Sequence, residues 1–395
     1  MQRLLTAATE AFSRRGFHQA SVAEICRVGR VANGTFYQYF TDKEEIFLLL
    51  AEGASRRLMT HLRQALTPAG EPGRRVLRAM RAYWDFVAEN ASLHQVLREA
   101  EFVRLDVLRA FYRRLAALYR TLLPQARPLD AETAAYALLG IQEFLALRYL
   151  LWSQEFPESV VQTVREFLTH GLDGGAPRAA AASPPARTAG EAFPPRPRGE
   201  AKVGGERTRA RILEAAEVEF GARGFHDASI ADIARRAGVA HGTIYLYFPG
   251  KEALFAELVY EINRQLRAYI RRRTQGLSDR RDVEIAGFEA FFEFIAEHPQ
   301  AYRIVREAEF VGTGPSKGEA GRGYYERLAQ GYVRGLREGM KAGHIRPSLD
   351  PEALAWALMG IGHFLGLRWI VWEGTLPPPE ALSTLPRLLL KGLSG

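Results

Sequence analysis

The second half of this chain repeats the first half. The heptapeptide GTFYQYF at residues 34–40 returns as GTIYLYF at 242–248, an offset of 208 (242 − 34). At that offset, residues 12–47 and 220–255 are identical at 20 of 36 positions. A repeat this long has the size of a domain and far exceeds the roughly 20–50 residues of solenoid repeats. The chain therefore folds as two related units, here called copy 1 (residues 1–171) and copy 2 (residues 207–395).

The repeat extends well beyond these segments. REAEFV at 98–103 reappears at 306–311, again at offset 208. FLALRYLLW at 144–152 matches FLGLRWIVW at 364–372, at offset 220 (364 − 144). Copy 2 therefore carries a net insertion of 12 residues (220 − 208) between these two stretches.

Composition excludes several classes of protein. No apolar run approaches the roughly 18 uninterrupted residues that a membrane span needs, and MQRLLT at the start lacks the layout of a signal peptide, so a cytoplasmic protein is expected. Cys26 is the single cysteine, which excludes an intrachain disulfide and a cysteine-built metal site. We expect neither a metal nor a cofactor, and no pattern typical of a catalytic site indicates an enzyme.

The net charge of +8 fits a polyanionic partner only weakly. Residues 1–47 hold six basic and five acidic side chains, so a nucleic-acid interface must depend on where particular groups lie.

Helical spacing dominates outside one segment. Apolar residues recur three and four positions apart, as at Ile46, Leu49 and Leu50, and no alternating strand pattern occurs. Residues 172–206 instead are rich in Pro, Gly and Ala, which is typical of a flexible linker. The chain is therefore predicted to be all-α, with a linker between the copies.

Each copy opens with three short helices. In copy 2, Gly224 is placed to end the first helix, Ser229 to cap the second and Gly238 to form the turn before the third. Ser21 is the equivalent cap in copy 1. Two short helices joined by a tight glycine turn form the helix-turn-helix pattern.

A generic helical bundle is the alternative, and the third helix speaks against it. This helix is only about two turns long and carries Thr243, Tyr245 and Tyr247 instead of an apolar stripe. Lys251 stands in the first turn of the next helix, where a cation gains nothing from the helix dipole. A phosphate group bound by its ammonium group would explain why a lysine stands at this position.

The run ADIARRAGVAHGTIYLYF at 231–248, followed by Lys251 and Glu252, resembles the DNA-binding domain of TetR-family transcriptional regulators. The resemblance implies a dimer, a double-stranded palindromic DNA operator and release from it when a small-molecule effector binds. It implies an N-terminal three-helix helix-turn-helix domain and a helical ligand-binding and dimerisation domain in each copy. The predicted bounds are 1–46 and 47–171 for copy 1, 172–206 for the linker, and 207–254 and 255–395 for copy 2.

The resemblance also assigns residues to DNA contacts. It places recognition helices at 32–40 and 240–248, with Phe40 and Phe248 in the core. The residues expected at base edges are Asn33, Thr35, Phe36, His241, Thr243 and Ile244. The residues expected at phosphates are Ser21, Tyr37, Tyr39, Lys43, Ser229, Tyr245, Tyr247 and Lys251.

Copy 1 departs from the family pattern at its turn, where Arg30 replaces Gly238. Either Arg30 adopts a left-handed backbone, at a cost of about 1 kcal/mol relative to glycine, or Gly29 takes over the turn by a shift of one residue.

The helical remainder of each copy contains charges within apolar helices. Arg148 and Arg368 occupy equivalent positions, as do Glu99 and Glu307. A partly buried Arg–Glu bridge is the favoured interpretation, and an arginine that binds an anionic ligand is the alternative. The candidate ligand-binding residues are Trp84, Glu99, Arg148, Phe292, Glu307 and Arg368.

The fusion predicts how the copies assemble. A flexible linker of about 35 residues has a root-mean-square span of about 33 Å, close to the roughly 34–36 Å between half-sites one helical turn apart. Intramolecular pairing would give a single-chain pseudo-dimer, and its half-sites would differ because Asn33, Phe36 and Gln38 replace His241, Ile244 and Leu246. The alternatives are a two-chain homodimer with four DNA-reading domains, or a ligand- or partner-binding scaffold whose reading domains have decayed.

Overall fold

The computed structural model describes residues 1–67, 70–124, 129–178, 204–312 and 317–394. The fold is all-α, as predicted. Within the described residues the β contacts consist of one isolated bridge between Asp173 and Ile345.

Copy 1 contains nine helices in its described part. They are α1 (Gln2–Arg15), α2 (Val22–Gly29), α3 (Asn33–Tyr37), α4 (Lys43–Ala65), α5 (Pro72–Glu89), α6 (Ala91–Val103), α7 (Leu105–Arg120), α8 (Ala131–Leu145, continuing as a π-helix over Ala146–Trp152) and α9 (Glu158–His170).

Copy 2 repeats this order over its own described residues. Its helices are α10 (Gly205–Asp227), α11 (Ile230–Ala237), α12 (His241–Tyr247), α13 (Lys251–Arg273), α14 (Arg280–Glu297), α15 (Pro299–Glu307), α16 (Glu319–Lys341), α17 (Pro351–Leu365, continuing as a π-helix over Gly366–Val371) and α18 (Pro379–Lys391). We call α1–α3 head 1 and α10–α12 head 2.

The two copies pack on each other through α8 and α17. These helices approach so closely at Gly140 and Gly360 that a Cβ atom on either glycine would collide with the backbone carbonyl of the other. Both helices have the length and hydropathy of a membrane span, yet 83% of each apolar window is buried inside the protein. Their apolar character is therefore explained by this interface.

Reciprocal hydrogen bonds flank the helix pair. The Asp130 backbone N–H donates to Thr384 Oγ1 at 2.9 Å, and the Asp350 N–H donates to Thr163 Oγ1 at 3.0 Å. Each bond joins the start of one apolar helix to α9 or α18 of the other copy. The arrangement has the approximate two-fold symmetry of a dimer, formed within one chain.

The segment that joins the copies is predicted to be a flexible linker, but both of its described ends are structured. Residues 172–178 pack on copy 2, where the Leu172 N–H donates to the Leu389 carbonyl and the Gly174 N–H to the His344 carbonyl. Helix α10 begins at Gly205, inside the predicted linker. The flexible-linker prediction is wrong for these ends, and residues 179–203 lie outside the described part of the chain.

Candidate nucleic-acid interface

Head 2 forms its helix-turn-helix from the expected local signals. Gly224 ends the first part of α10 with φ 80°, and Ser229 caps α11 by accepting a 3.0 Å hydrogen bond from the Asp232 N–H. Gly238 then takes the left-handed conformation, with φ 62° and ψ 42°. The turn places α12 on the surface of the head.

The outer face of each third helix carries exposed polar and aromatic side chains, and in head 2 an exposed leucine as well. Tyr245 is 49% exposed and Leu246 83% exposed in head 2, and in head 1 Tyr37 is 61% exposed. Asn33 and His241, which begin the two helices, are exposed as well. Exposed apolar side chains that group on one face are a feature of binding surfaces.

Two residues expected at base edges lie inside the heads. Phe36 and Ile244 are fully buried, so their assignment to the major groove is wrong. A helix of five or seven residues has a single inward position near its middle, and an apolar side chain fills it. Phe40 and Phe248 are buried beside them, as predicted.

The two lysines at the start of the fourth helices have protein partners and do not require a phosphate, contrary to the prediction. Lys43 Nζ donates to the carbonyls of Phe17, His18 and Ala20 at 2.9–3.2 Å. Lys251 Nζ donates to the corresponding carbonyls of His226 and Ala228 at 2.9 and 2.7 Å. Burial lowers the pKa of both lysines. Each ammonium group thus ties the fourth helix to the loop after the first.

Arg30 itself adopts the left-handed backbone, with φ 51° and ψ 47°. Gly29 stays helical, and a Cβ there would lie 3.3 Å from both the Ala7 Cβ and the Arg3 carbonyl. The turn therefore has the same geometry in both heads, and α3 keeps its predicted register.

Arg30→Gly is expected to raise the free energy of unfolding by about 1 kcal/mol, because glycine adopts the left-handed region without steric cost. Urea denaturation of the full chain measures the change. The matched variant Gly238→Arg is expected to lower the same free energy, and equal stability of all three proteins would contradict the argument.

Comparison with known proteins identifies this architecture. The family profile described as bacterial regulatory proteins of the tetR family matches the chain twice, at residues 4–50 and 212–258. The uncharacterized HTH-type transcriptional regulator YhgD of Bacillus subtilis is 30% identical over 188 residues, which span 46% of this chain and 95% of YhgD. The chain belongs to the TetR family. It is a DNA-binding transcriptional regulator.

Other TetR-type relatives match about half of this chain. The uncharacterized HTH-type transcriptional regulator YdgC of Bacillus subtilis is 28% identical over 200 residues, or 49% of this chain and 95% of YdgC. The structure of the fatty acid degradation regulator FadR from Bacillus halodurans covers 49% of this chain and 98% of that one, at 24% identity and a TM-score of 0.43. YhgD and YdgC therefore each have about the length of one copy.

The repeated glutamates of this TetR-family chain hold the heads to the helices beneath them. Glu99 Oε1 accepts a 2.7 Å hydrogen bond from the Phe17 N–H, and Glu307 Oε1 accepts one of 2.8 Å from the Phe225 N–H. Burial raises the pKa of both carboxyl groups. Their predicted place, beside Arg148 and Arg368 or in a ligand site, is wrong.

The two arginines pair across the interface between copies. Arg148 Nη2 lies 2.8 Å from Glu352 Oε1, and Arg368 Nε lies 2.9 Å from Glu132 Oε1. An Arg–Glu bridge is present as predicted, but with other glutamates. These contacts occupy the guanidinium groups, so the anionic-ligand alternative loses its support.

Trp84 and Phe292, the remaining candidate ligand-binding residues, belong to the core. Trp84 Nε1 donates to the Gln142 carbonyl at 3.0 Å, and its ring packs against Phe156. Phe292 is 2% exposed. Neither side chain was distinguishable in the sequence from its aromatic neighbours.

Sequence reasoning missed the partners of the repeated REAEF segment. Arg98 Nη2 contacts Glu309 Oε2 at 2.6 Å, and Arg306 forms the reciprocal pair with Glu101. Both pairs join copy 1 to copy 2. The sequence did contain a signal for these pairs. The arginine and the second glutamate of REAEF recur in both copies while the residues on either side of REAEFV differ, as expected for a contact between the copies.

Sequence reasoning also missed two cationic side chains that hydrogen-bond to the heads. Arg303 Nη1 donates to the carbonyls of Gly221 and Ala222, both at 2.9 Å, at the end of the first part of α10. The offset of 208 pairs Arg303 with Gln95, whose side chain is uncharged. In head 1, Lys317 of copy 2 takes that role by donating to the carbonyls of Phe12 and Ser13 at 3.3 Å.

The two heads meet at a pair of histidines. The rings of His18 and His226 stack with centroids 4.2 Å apart. Burial, and secondly the Lys43 charge, lowers the pKa of His18. Burial, then His18 and Lys251, lowers the pKa of His226 to about 4. The stack therefore requires neutral imidazoles.

Acidification is expected to weaken this contact between pH 6.5 and about 4. The folded state binds fewer protons there than the unfolded state, so the contribution of these groups is complete above pH 6.5 and is lost as the pH falls. Between pH 7 and 5 the loss is on the order of 1 kcal/mol once solvent screening of half-exposed rings is allowed for.

Urea denaturation at both pH values measures this loss in the wild type and in His226→Phe. The phenylalanine keeps a flat ring in the stack but cannot take up a proton, so the variant should lose less stability on acidification. Equal losses in the two proteins would contradict the role of the stack.

Proposed function

We propose that this regulator binds DNA as a single-chain pseudo-dimer, on one operator with two unlike half-sites, under the control of a small molecule. Its site of action is the cytoplasm, and repression relieved by the effector is the expected mode. The observation that carries the proposal is the close packing of α8 on α17 at Gly140 and Gly360. That packing unites the two copies within one chain.

Contacts that exist only between unlike copies support this assembly. Lys317 of copy 2 donates hydrogen bonds to the Phe12 and Ser13 carbonyls of head 1. Arg281 Nη1 of copy 2 donates to Asp173 Oδ1 and to the Ala176 carbonyl, both at 2.8 Å, in the segment that leaves copy 1. Pairing of copy 1 with another copy 1 would lose both contacts.

The two exposed recognition surfaces support unlike half-sites. Asn33 stands opposite His241, and Gln38 opposite Leu246, and all four side chains are exposed. An amide and an imidazole present different donors and acceptors to base edges, and a leucine offers only apolar contact. Thr35 and Thr243 are shared, so the half-sites are expected to be related but not identical.

Two measurements on the purified chain test the proposal. Light scattering is expected to give the mass of one chain, 44.2 kDa, and footprinting is expected to show one protected asymmetric site. Tyr245→Phe should weaken binding about tenfold if the hydroxyl contacts a phosphate. Tyr260→Phe, which alters an exposed tyrosine on α13, is the control.

Other outcomes would favour the alternatives. An assembly of twice that mass, bound to two separate palindromes, would indicate a homodimer of two chains with four heads. Binding to no DNA at any salt concentration would indicate a scaffold with decayed heads, since phosphate contacts give every DNA-binding protein some salt-dependent affinity.

A further inference from the structure

The turn of head 1 holds a residue type that its backbone disfavours. Arg30 lies in the left-handed region with φ 51°, where head 2 has Gly238 with φ 62°. A residue with a side chain adopts this conformation at a steric cost that glycine avoids. Backbone strain of this kind is concentrated at functional sites, so the exposed side chain of Arg30 is expected to have a function.

In head 2 an arginine fills the space beside the turn. Arg211 Nε donates to the Ala237 carbonyl at 3.0 Å, and Arg211 Nη2 donates to the Gly238 carbonyl at 2.8 Å. A Cβ atom on Gly238 would lie 3.3 Å from Arg211 Nη2. A side chain at the turn therefore competes with this guanidinium group for the same space.

In head 1 the equivalent arginine is not bonded to the turn. The offset of 208 pairs Arg3 with Arg211. Arg3 lies next to the turn, since a Cβ on Gly29 would be 3.3 Å from the Arg3 carbonyl oxygen. Its side chain is exposed and forms no hydrogen bond or ion pair with the residues that the structure describes.

A third arginine differs between the heads in the same way. Arg27, in the last turn of α2, corresponds to Arg235 of α11. Arg235 forms an ion pair with Asp232, whereas Glu24, the counterpart of Asp232, pairs with Arg15 at 3.1 Å. Arg27 is therefore left exposed, without an ion pair in the described part of the chain.

We call Arg3, Arg27 and Arg30 the turn cluster. The dipole of α2 favours cations at its C-terminus, but Arg3 lies in the first turn of α1, where a helix dipole disfavours a cation. The dipoles therefore do not explain the whole cluster. Exposed cations of one sign that lie together raise the local concentration of anions, which indicates an anionic ligand.

The turn cluster lies beside the surface that contacts DNA. Arg30 precedes Asn33, the first residue of α3, by three positions, so their Cα atoms are at most about 11 Å apart. The first residues of a recognition helix lie at the base edges of the major groove, between two phosphate backbones. A guanidinium group can bind a phosphate through two parallel hydrogen bonds.

We propose that the turn cluster is an additional site for DNA backbone phosphates, present in head 1 and absent from head 2. Head 1 then depends more on contacts that do not read sequence, and head 2 depends more on contacts with base edges. This inference rests on the proposed function, in which both heads contact one DNA duplex.

Binding of the full chain to a labelled random-sequence duplex of about 30 base pairs tests the proposal through its salt dependence. Each phosphate contact contributes about 0.9 to the slope of log K against log salt concentration. Arg30→Gly is expected to reduce the slope by about 0.9 and to weaken binding roughly tenfold at about 0.1 M salt. Because this variant is expected to be more stable than the wild type, weaker binding would not result from unfolding.

Arg30→Asn separates the charge from the backbone conformation. Asparagine adopts the left-handed region more readily than most residues but carries no charge, so the same reduction in slope is expected. An unchanged slope in both Arg30→Gly and Arg30→Asn would overturn the proposal.

Arg27→Gln and Arg235→Gln form a matched pair at one position of the two heads. Arg27→Gln is expected to reduce the slope by about 0.9, and Arg235→Gln by less than half as much, because Asp232 already neutralises Arg235. Equal reductions in the two variants would contradict a site that belongs to head 1 alone.

Failure of this inference is distinguishable from failure of the proposed function. If the wild type binds DNA with a salt dependence that the Arg30 variants share, the turn cluster has no phosphate contacts, and the footprint still tests the pseudo-dimer. A wild-type chain that binds no DNA at any salt concentration would overturn both.

Discussion

Gly140→Ala is expected to lower the free energy of unfolding by about 2 kcal/mol, although alanine in a helix interior normally stabilises by nearly 1 kcal/mol. The new methyl group would meet the carbonyl of Gly360, a backbone atom that cannot rotate away as a side chain can. The helices α8 and α17 would have to separate, and their apolar faces would lose contact. Urea denaturation followed by circular dichroism measures the change.

Gly53→Ala provides the matched control within the same chain. Gly53 lies inside α4, and a Cβ there would have no neighbour within 4 Å. The same chemical change is therefore expected to stabilise this site by up to about 1 kcal/mol. If Gly140→Ala proves as stable as Gly53→Ala, the two copies do not pair through α8 and α17 in solution.

Local signals in the sequence predicted the helix-turn-helix units well. Ser21 and Ser229 cap the second helices, and Gly238 takes the left-handed turn, because each of these roles depends on the residue itself and its nearest neighbours. The repeat carried the prediction to copy 1, where Arg30 keeps the same backbone despite its side chain. Backbone geometry is preserved when the surrounding helices over-determine it.

Inward and outward positions of the recognition helices were harder to predict. The sequence predicts a DNA contact for Ile244, which lies in the core instead. Seven residues give less than two full turns over which to detect a periodic apolar face. The sequence predicts a phosphate at Lys251, since its carbonyl partners, at His226 and Ala228, lie more than 20 residues away and are not visible locally. Hydrogen bonds to distant carbonyls leave no local pattern.

Contacts between the two copies could not be predicted from the sequence either, because their partners lie in different copies. The sequence predicts that Arg148 and Arg368 need partners, but the glutamates that pair with them lie in the opposite copy. Lys317 lies between the repeated segments 306–311 and 364–372, where the offset changes from 208 to 220, so the repeat gave it no assigned counterpart. The symmetry of the sequence therefore predicted the shared architecture, and the differences between copies determine how the heads are held.

Exchange of the exposed residues between heads is expected to change the operator. Asn33→His with Gln38→Leu gives head 1 the outward face of head 2, so the preferred site should become a palindrome of the head 2 half-site. Each base contact discriminates by about 1–3 kcal/mol, so affinity for the original asymmetric operator should fall roughly 10- to 100-fold. Selection of binding sites from random DNA measures the preference directly.

The reciprocal variant, His241→Asn with Leu246→Gln, is the matched control and should select a palindrome of the head 1 half-site. Phe36 and Ile244 stay unchanged in both proteins because they are buried and hold the heads together. If both double variants keep the wild-type operator, the outward faces of α3 and α12 do not read the bases. If only the exchange in head 2 changes the preference, head 1 contributes phosphate contacts alone, and head 2 alone reads the base sequence.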